Sequence, residues 1–373
     1  MKRILLAFLL MLFIGQVAPS TTHGQGVAPL DVFLGYDREA QSVTVYFANS
    51  VTGLSAITTI DNFPPELNLL EEFTLTANGV IYRDPAGILP RLITPNGSIF
   101  DLNFIPQRID QTLLRVEWAI SPNGRTIAWA EMYFENGWQA SLYVAHLDGS
   151  ELRVLPTIPL TDARSYSRVA MIAVSNDGSR VFFDLEHPTE PRRPEDLFLD
   201  YQLVEAYIEQ RQSYFNLPGE PNCFCPASIA DDGRTLIRLE RTTSGVGYEL
   251  RLVNLENNRE RRIDAAPDVQ FTQAGDVLLS PGGSMILYAM GGVQGAAPDD
   301  PPTFALVMAD FATGEQRVVS SSSEQRLLPM AFIDRNTAAI VVDLSSQTTY
   351  KMSLDTGELE QVANLIWLGS LQG

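Results

Sequence analysis

The chain of 373 residues carries 45 acidic against 26 basic residues, a formal net charge of −19, and only two cysteines. So acidic a surface repels phosphate backbones and anionic headgroups, which are bound through clusters of Lys and Arg, and this excludes nucleic acid as the natural partner. The length exceeds one ordinary two-layer core and suits a ring of stacked sheets.

At the amino terminus, Lys2 and Arg3 precede the apolar run Ile4 to Ile14 and the small-residue region Val17-Ala18-Pro19-Ser20. This is the three-part order of a secretory signal peptide, expected over residues 1–24, with cleavage after Ala18 or Gly24. The apolar run is too short for the ~20 residues that span a bilayer. No cysteine near the junction supports a lipid anchor, and no later stretch is long and apolar enough to span. Export predicts an extracytoplasmic protein, whether periplasmic, secreted or at the cell surface, with residues 25–373 as one domain. Without Lys2 and Arg3 the 26 basic residues fall to 24 against 45 acidic ones, for a net charge of −21. Solubility accounts for such a charge before any specific partner does.

Two sets of strands come next. Asp31–Leu34, Ser42–Phe47 and Leu54–Ile60 form the first; Glu72–Thr76, Asn78–Tyr82 and Leu89–Thr94 form the second. A fuller unit follows, in which Arg115–Ile120 meets the turn Ser121-Pro122-Asn123-Gly124 and returns as Arg125–Ala130 with apolar alternation. Ala140–Ala145 then meets Leu147-Asp148-Gly149-Ser150 and returns as Glu151–Leu155. One four-stranded sheet cannot bury both of its faces, so the unit needs copies to stack against.

The copies are present. The first turn recurs as Ser175-Asn176-Asp177-Gly178, Ala230-Asp231-Asp232-Gly233 and Ser280-Pro281-Gly282-Gly283, so that the four glycines are 54, 55 and 50 residues apart. A worn copy, Ile333-Asp334-Arg335-Asn336, has Asn in place of Gly; both tolerate positive φ. The second turn recurs at Leu255-Glu256-Asn257-Asn258, Phe311-Ala312-Thr313-Gly314 and Leu354-Asp355-Thr356-Gly357. These residues resemble the repeats of the TolB-like (WD40-like, PD40) β-propellers, best at Ser121–Gly124 with Leu142-Tyr143-Val144-Ala145-His146-Leu147-Asp148-Gly149, and the likeness covers about residues 112 to 363. It implies an all-β, extracytoplasmic propeller that works through contacts with other molecules. Seven four-stranded blades are expected, with six or eight as alternatives, since the two amino-terminal units lack the full motif.

One segment departs from the β pattern. Between Tyr201 and Tyr214, apolar residues at mixed three- and four-residue spacings predict a short amphipathic helix inserted between blades. No Gly-containing second turn follows Leu199, which leaves the last strand of that blade open. As a functional alternative, the insertion is a lid over one face.

Cys223 and Cys225 lie two residues apart in Asn222-Cys223-Phe224-Cys225-Pro226. After export, a strained disulfide, two free thiols or a partial metal site all stay open. No catalytic set is recognisable, because neither a Gly-x-Ser-x-Gly elbow nor a His-Glu-x-x-His helix occurs. His146 reads as a repeat-position polar residue and the pair Glu186–His187 as a solvated loop pair without a third member. No cofactor is expected, although a calcium ion in the ring channel stays open under a lactonase-like alternative.

Loop length is asymmetric in this reading. The middle connections Glu131 to Gln139, Glu186 to Glu195, Arg241 to Gly247 and Gly291 to Pro302 are long, and in a meander they emerge at one end of the ring together with the connections between blades. That end is the expected binding face for a protein, peptide or glycan, with Tyr133, Phe134, Trp138, Glu186, His187, Arg192 and Arg193 as its informative side chains. The resulting expectation is a monomeric, non-enzymatic binding propeller; the alternative is a channel-centred, metal-dependent hydrolase.

Overall fold

A computed structural model describes residues 29–49, 53–64, 68–85, 89–105, 112–134, 136–160, 167–188, 197–198, 204–217, 227–230, 233–245, 247–267, 271–293, 301–322 and 325–371. The chain is a β-propeller of seven antiparallel, four-stranded blades. It opens with β1 (Leu30–Asp37), β2 (Ser42–Asn49) and β3 (Gly53–Ile60), which form the three outer strands of blade 1. A single helical turn, α1 (Leu69–Glu72), leads into blade 2: β4 (Phe73–Thr76), β5 (Gly79–Arg83), β6 (Pro90–Ile93) and β7 (Ile99–Asp101). Blade 3 holds β8 (Thr112–Ile120), β9 (Thr126–Phe134) and β10 (Trp138–His146), and its outer strand is split into β11 (Arg153–Val154) and β12 (Ile158–Pro159). Blade 4 is β13 (Ser167–Val174), β14 (Arg180–Pro188), β15 (Val204–Ile208) and β16 (Ser213–Asn216). Blade 5 is β17 (Ala227–Ile229), β18 (Thr235–Arg241), β19 (Tyr248–Asn254) and β20 (Glu260–Ile263); blade 6 is β21 (Gln273–Leu279), β22 (Met285–Val293), β23 (Pro302–Asp310) and β24 (Glu315–Ser322). Blade 7 is β25 (Leu327–Ile333), β26 (Ala338–Asp343), β27 (Thr348–Ser353) and β28 (Leu359–Ala363). The last strand, β29 (Ile366–Leu371), pairs with β1 and supplies the inner strand of blade 1.

That pairing closes the ring, because one blade is shared between the two ends of the described chain. Trp367 Nε1 donates to Asp31 Oδ1 at 3.2 Å across the seam. The three amino-terminal strands foreseen from the sequence are therefore a complete blade once β29 is counted.

Each blade face is covered by a neighbour, so central strands are apolar on both sides. In β9 the first eight residues are all buried. Trp129, fully buried, stacks on Tyr143 at 5.0 Å and meets Phe104 of the preceding blade edge-on at 5.7 Å. Ala128, Leu142, Val169 and Phe183 fill the opposite interface, between blades 3 and 4.

The turn motif has a clear chemical basis. Ser175 Oγ donates to Asp177 Oδ1 at 2.6 Å and accepts from the Arg180 amide, while Asp177 Oδ1 also accepts from the Ser179 amide at 3.0 Å. The Gly178 amide then closes the turn on the Ser175 carbonyl at 2.8 Å. Gly124, Gly178, Gly233 and Gly283 all sit at φ between 63° and 70°, and Asn336 of the worn copy sits at 66°. At Gly178 an added Cβ would lie 2.5 Å from Arg153 Nη2 and 2.7 Å from Val144 Cγ1, so glycine is required twice over.

Two sequence readings are corrected. Of the stretch 201–214 expected as an inserted helix, the described residues 204–214 hold none: β15 and β16 are the outer strands of blade 4, joined by a 3-10 turn at Glu209–Arg211 with Gln212 at φ 52° in the place of glycine. Helical spacing appeared because β15 is buried on both sides, Val204 and Ala206 against blade 5 and Tyr207 against blade 3, which erases the period of two. The stretch Glu131 to Gln139 is not a long loop either, since Tyr133 pairs with Gln139 and Phe134 with Trp138 in register. Only residues 135–137 connect them. A polar residue mid-strand misled the reading: Glu131 is fully buried and accepts from Tyr143 Oη at 3.3 Å.

Candidate functional site

In each meander the first and third turns lie at one end of the ring, called here the turn end. The middle connections and the crossings between blades lie at the other, the loop end. The turn end is stitched from blade to blade. The Ala77 amide donates to the Gly124 carbonyl at 2.8 Å, and the Asn123 amide to Asn176 Oδ1 at 3.0 Å. Arg153 reaches the Asp177 carbonyl at 3.3 Å, Arg180 the Gly233 carbonyl at 2.9 Å, Arg261 the Phe311 carbonyl, and Arg317 the Leu354 carbonyl at 2.7 Å. A cavity of about 230 Å3 on this side is lined by residues of blades 3, 4 and 5 that include Ile120, Pro122, Ile172, Phe182 and Ile229. A broader groove of about 1100 Å3 runs between blades 6 and 7, and there Arg317 is spent on the Leu354 carbonyl and Lys351 on Asp334 at 2.6 Å.

The loop end is built differently. Phe134 is 52% exposed at the tip of the β9–β10 hairpin and meets Trp138 edge-on at 5.3 Å. Trp138 itself is half-buried and packs on the blade 3–4 cluster with Met171 and Tyr214. Tyr133 is 3% exposed, its hydroxyl bonded to Gln139 and Ser141, so it belongs to the blade's interior. Of the three aromatics picked from the sequence, Phe134 is the one presented to solvent. Glu186 and His187 stand on β14, with His187 in register with Arg168, and not on a loop. Arg192, Arg193, Cys223 and Cys225 lie outside the described residues. His146 ends β10, where its amide and carbonyl close the turn on Ser150 and Gly149 and its Nε2 lies 3.2 Å from Glu151.

Sequence reasoning missed the anchor of the longest connection. Residues 189–203 join β14 to β15, yet Leu197 and Phe198 are seated two blades away. The Leu197 amide donates to Gln273 Oε1 at 2.6 Å, and Phe198, 6% exposed, packs among Leu287, Ala289, Leu327 and Phe332 of blades 6 and 7. Arg326 lies over the Phe198 ring at 4.4 Å, donates to the Leu197 carbonyl at 2.8 Å, and grips Asp276 bidentately at 2.7 and 3.0 Å. Burial pushes the Asp276 carboxyl above its usual range, with the Arg326 charge opposing. The available signal was the absence of side chains: a Cβ on Gly275 would meet the Phe198 ring and one on Gly291 would meet Leu197 Cδ1 at 2.9 Å.

A second arginine braces blades 2 and 3 at the same end. Arg83 lies over Trp118 at 4.7 Å, pairs with Glu72 at 2.7 Å, and donates to the Val116 carbonyl at 2.6 Å. Among the described residues, no group of three or more His, Cys, Asp or Glu is arranged to hold a metal, and no helix is long and apolar enough to cross a membrane.

No protein-family profile and no curated protein sequence matches the chain. Solved structures do. An oligogalacturonate lyase of Vibrio parahaemolyticus superposes with a TM-score of 0.52 at 9% identity, over 89% of this chain and 90% of that one. A protein provisionally named a 6-phosphogluconolactonase, from Bacteroides uniformis, gives 0.50 at 14% identity over 92% and 98%. TolB of Acinetobacter baumannii gives 0.43 at 13% identity over 90% and 82%. The likeness establishes the propeller fold and spans both enzymes and TolB.

Proposed function

We propose that this chain is an extracytoplasmic binding propeller that engages a protein or peptide partner through the loop end of the ring, without chemistry of its own. The observation that carries the reading is the β9–β10 hairpin, where a half-exposed Phe134 stands on a Trp138 rooted in the blade interface. A rigidly braced aromatic buries area on binding at small entropic cost, which is the character of an interface anchor. The turn end supports the same choice by contrast, because Arg153, Arg180, Arg261 and Arg317 there are already bonded to the next blade. The amino-terminal signal pattern supports an extracytoplasmic location.

The test places a photo-activatable cross-linker at Phe134 or, as a control on the turn end, at the exposed Asn257 in cells producing the full chain. A discrete adduct formed from position 134 in the envelope or medium fraction, and absent from position 257, is the expected result. Adducts from 257 alone, or a cytoplasmic chain, would reject the reading.

A further inference from the structure

Blade 5 carries three arginines in one cross-strand row. Arg238 on β18 is the register partner of Arg251 on β19, and Arg251 is the register partner of Arg262 on β20. Register partners in a sheet share a face, so three like charges lie side by side, an arrangement that is unfavourable unless counter-charges intervene. The outer two have them. Arg251 is paired with Glu240 at 2.9 Å and Glu260 at 2.6 Å, and Arg262 lies 3.7 Å from Glu249 and 4.0 Å from Glu240. The inner one feels the Glu240 and Asp184 carboxylates as nearby charges, yet Arg238 is 2% exposed and its Nε and Nη2 have no hydrogen-bond partner. Burial holds its guanidinium below the usual range, and the neighbouring Arg251 adds to this while Glu240 and Asp184 oppose it.

The position of this side chain is defined by its neighbours. Leu236, two residues earlier on β18, packs with Phe182 of β14 at the interface of blades 4 and 5. Arg238 and the fully buried Asp184 stand one layer nearer the loop end on those same two strands. On the channel side Arg238 is in register with Ala227, the first residue of β17, so only a methyl group faces it from the inner strand.

A buried guanidinium costs free energy unless its protons are used, and Nε with Nη2 form the side of the fork that takes two parallel acceptors. The geometry points to Arg238 as the anchor of a carboxylate-bearing ligand, held bidentately between blades 4 and 5 beneath the loop end. Arg251 is already paired with Glu240 and Glu260, so Arg238 supplies the positive charge there, and Asp184 sets the limit on how many negative charges the site accepts. A single carboxylate fits this balance better than a phosphate dianion. Screening from bulk water makes the contact less sensitive to salt than a surface pair would be. The inference stands apart from the macromolecular partner proposed for Phe134, and the two fail separately.

The experiment titrates sodium acetate, with sodium chloride and sodium phosphate at matched ionic strength and pH 7, into the full chain and into Arg238→Met and Arg238→Lys, following melting temperature and calorimetric heats. Wild type should melt higher with saturating acetate than with chloride or phosphate, as ligand binding to the folded state requires. Arg238→Met should lose the acetate response, and the loss is read within the variant, acetate against chloride, because removing Arg238 also takes a neighbouring positive charge from the buried Asp184 and can lower the melting temperature in every salt. Arg238→Lys keeps the charge but not the fork, and its apparent acetate affinity should fall by about tenfold or more. The proposal is overturned if wild type melts alike in all three salts, if Arg238→Lys responds as wild type does, or if chloride and phosphate match acetate.

Discussion

The two ends of this ring use the same kinds of residue to opposite effect. At the turn end, Arg153, Arg180, Arg261 and Arg317 each donate to a carbonyl of the next blade's turn, so the polar surface is consumed in holding blades together. At the loop end, Arg326 and Arg83 cover aromatic rings, grip partly buried carboxylates and fasten segments that arrive from elsewhere, while Phe134 is left exposed. Connection length accounts for the braces though not for Phe134, which stands on a hairpin closed by residues 135–137 alone. Short turns place their carbonyls at fixed repeat positions within reach of a neighbour, whereas long connections free the same chemistry for other tasks.

The largest effect that would break this contrast is expected at Phe198. Replacing it with Ala removes a ring buried against blades 6 and 7 and should cost about 3–5 kcal/mol, the range for buried aromatic truncations, read by chemical denaturation. A change near zero would mean that the anchor on blades 6 and 7 is decorative and that the loop end, unlike the turn end, holds no structural work. Next, Gly178→Val combines a left-handed backbone with a clash against the stitching Arg153, and about 3 kcal/mol of destabilisation is expected. The matching change at the loop end, Gly245→Val, meets open space at φ 81° and should cost less, with only the backbone term of about 1–2 kcal/mol. Equal losses at both positions would erase the proposed difference in packing.

Smaller again is the pair at the hairpin tip. Trp138→Ala should lower stability by about 2 kcal/mol, because this half-buried ring packs on the blade 3–4 cluster. Phe134→Ala should stay within about 0.5 kcal/mol of wild type and yet abolish partner cross-linking from a photo-activatable group moved to the exposed neighbour Asn136. The reverse ranking would move the binding face away from this hairpin.

The smallest effect concerns pH and both ends together. Burial alone would raise the carboxyls of Asp177 at the turn end and Asp343 at the loop end, but hydrogen bonds from Ser175 and Ser179, and from Ser345, Ser346 and Gln325, outweigh it and hold both below the usual range. A depressed carboxyl contributes stability that is fully present above the unfolded-state value of ~3.9 and is lost as pH falls through the folded value. Melting temperature should therefore decline below about pH 4, and Asp343→Asn should flatten that decline. An unchanged slope would show that this loop-end turn is not held by its carboxylate.

Much of the architecture is local and was legible for that reason. The Ser-x-Asn/Asp-Gly turn satisfies its own amides within five residues, so its recurrence at steps of 50 to 55 residues marks blades 3 to 6 and a worn copy marks blade 7, while the two amino-terminal blades lack the full motif and left the count open between six and eight. Two features resisted because burial on both faces removes the periodicity on which strand reading depends. That is why β15 imitated a helix, and why Glu131, satisfied by Trp129 and Tyr143, imitated a loop. What only the tertiary structure decided are relations between residues far apart in the chain: β29 beside β1, Phe198 over Gly275, Arg326 on Asp276, and Arg238 in a row of arginines with its fork unfilled. Those relations come from ring closure and blade-to-blade register, which bring together residues as far apart in the chain as Leu30 and Leu371 and leave no mark on the local pattern of either partner.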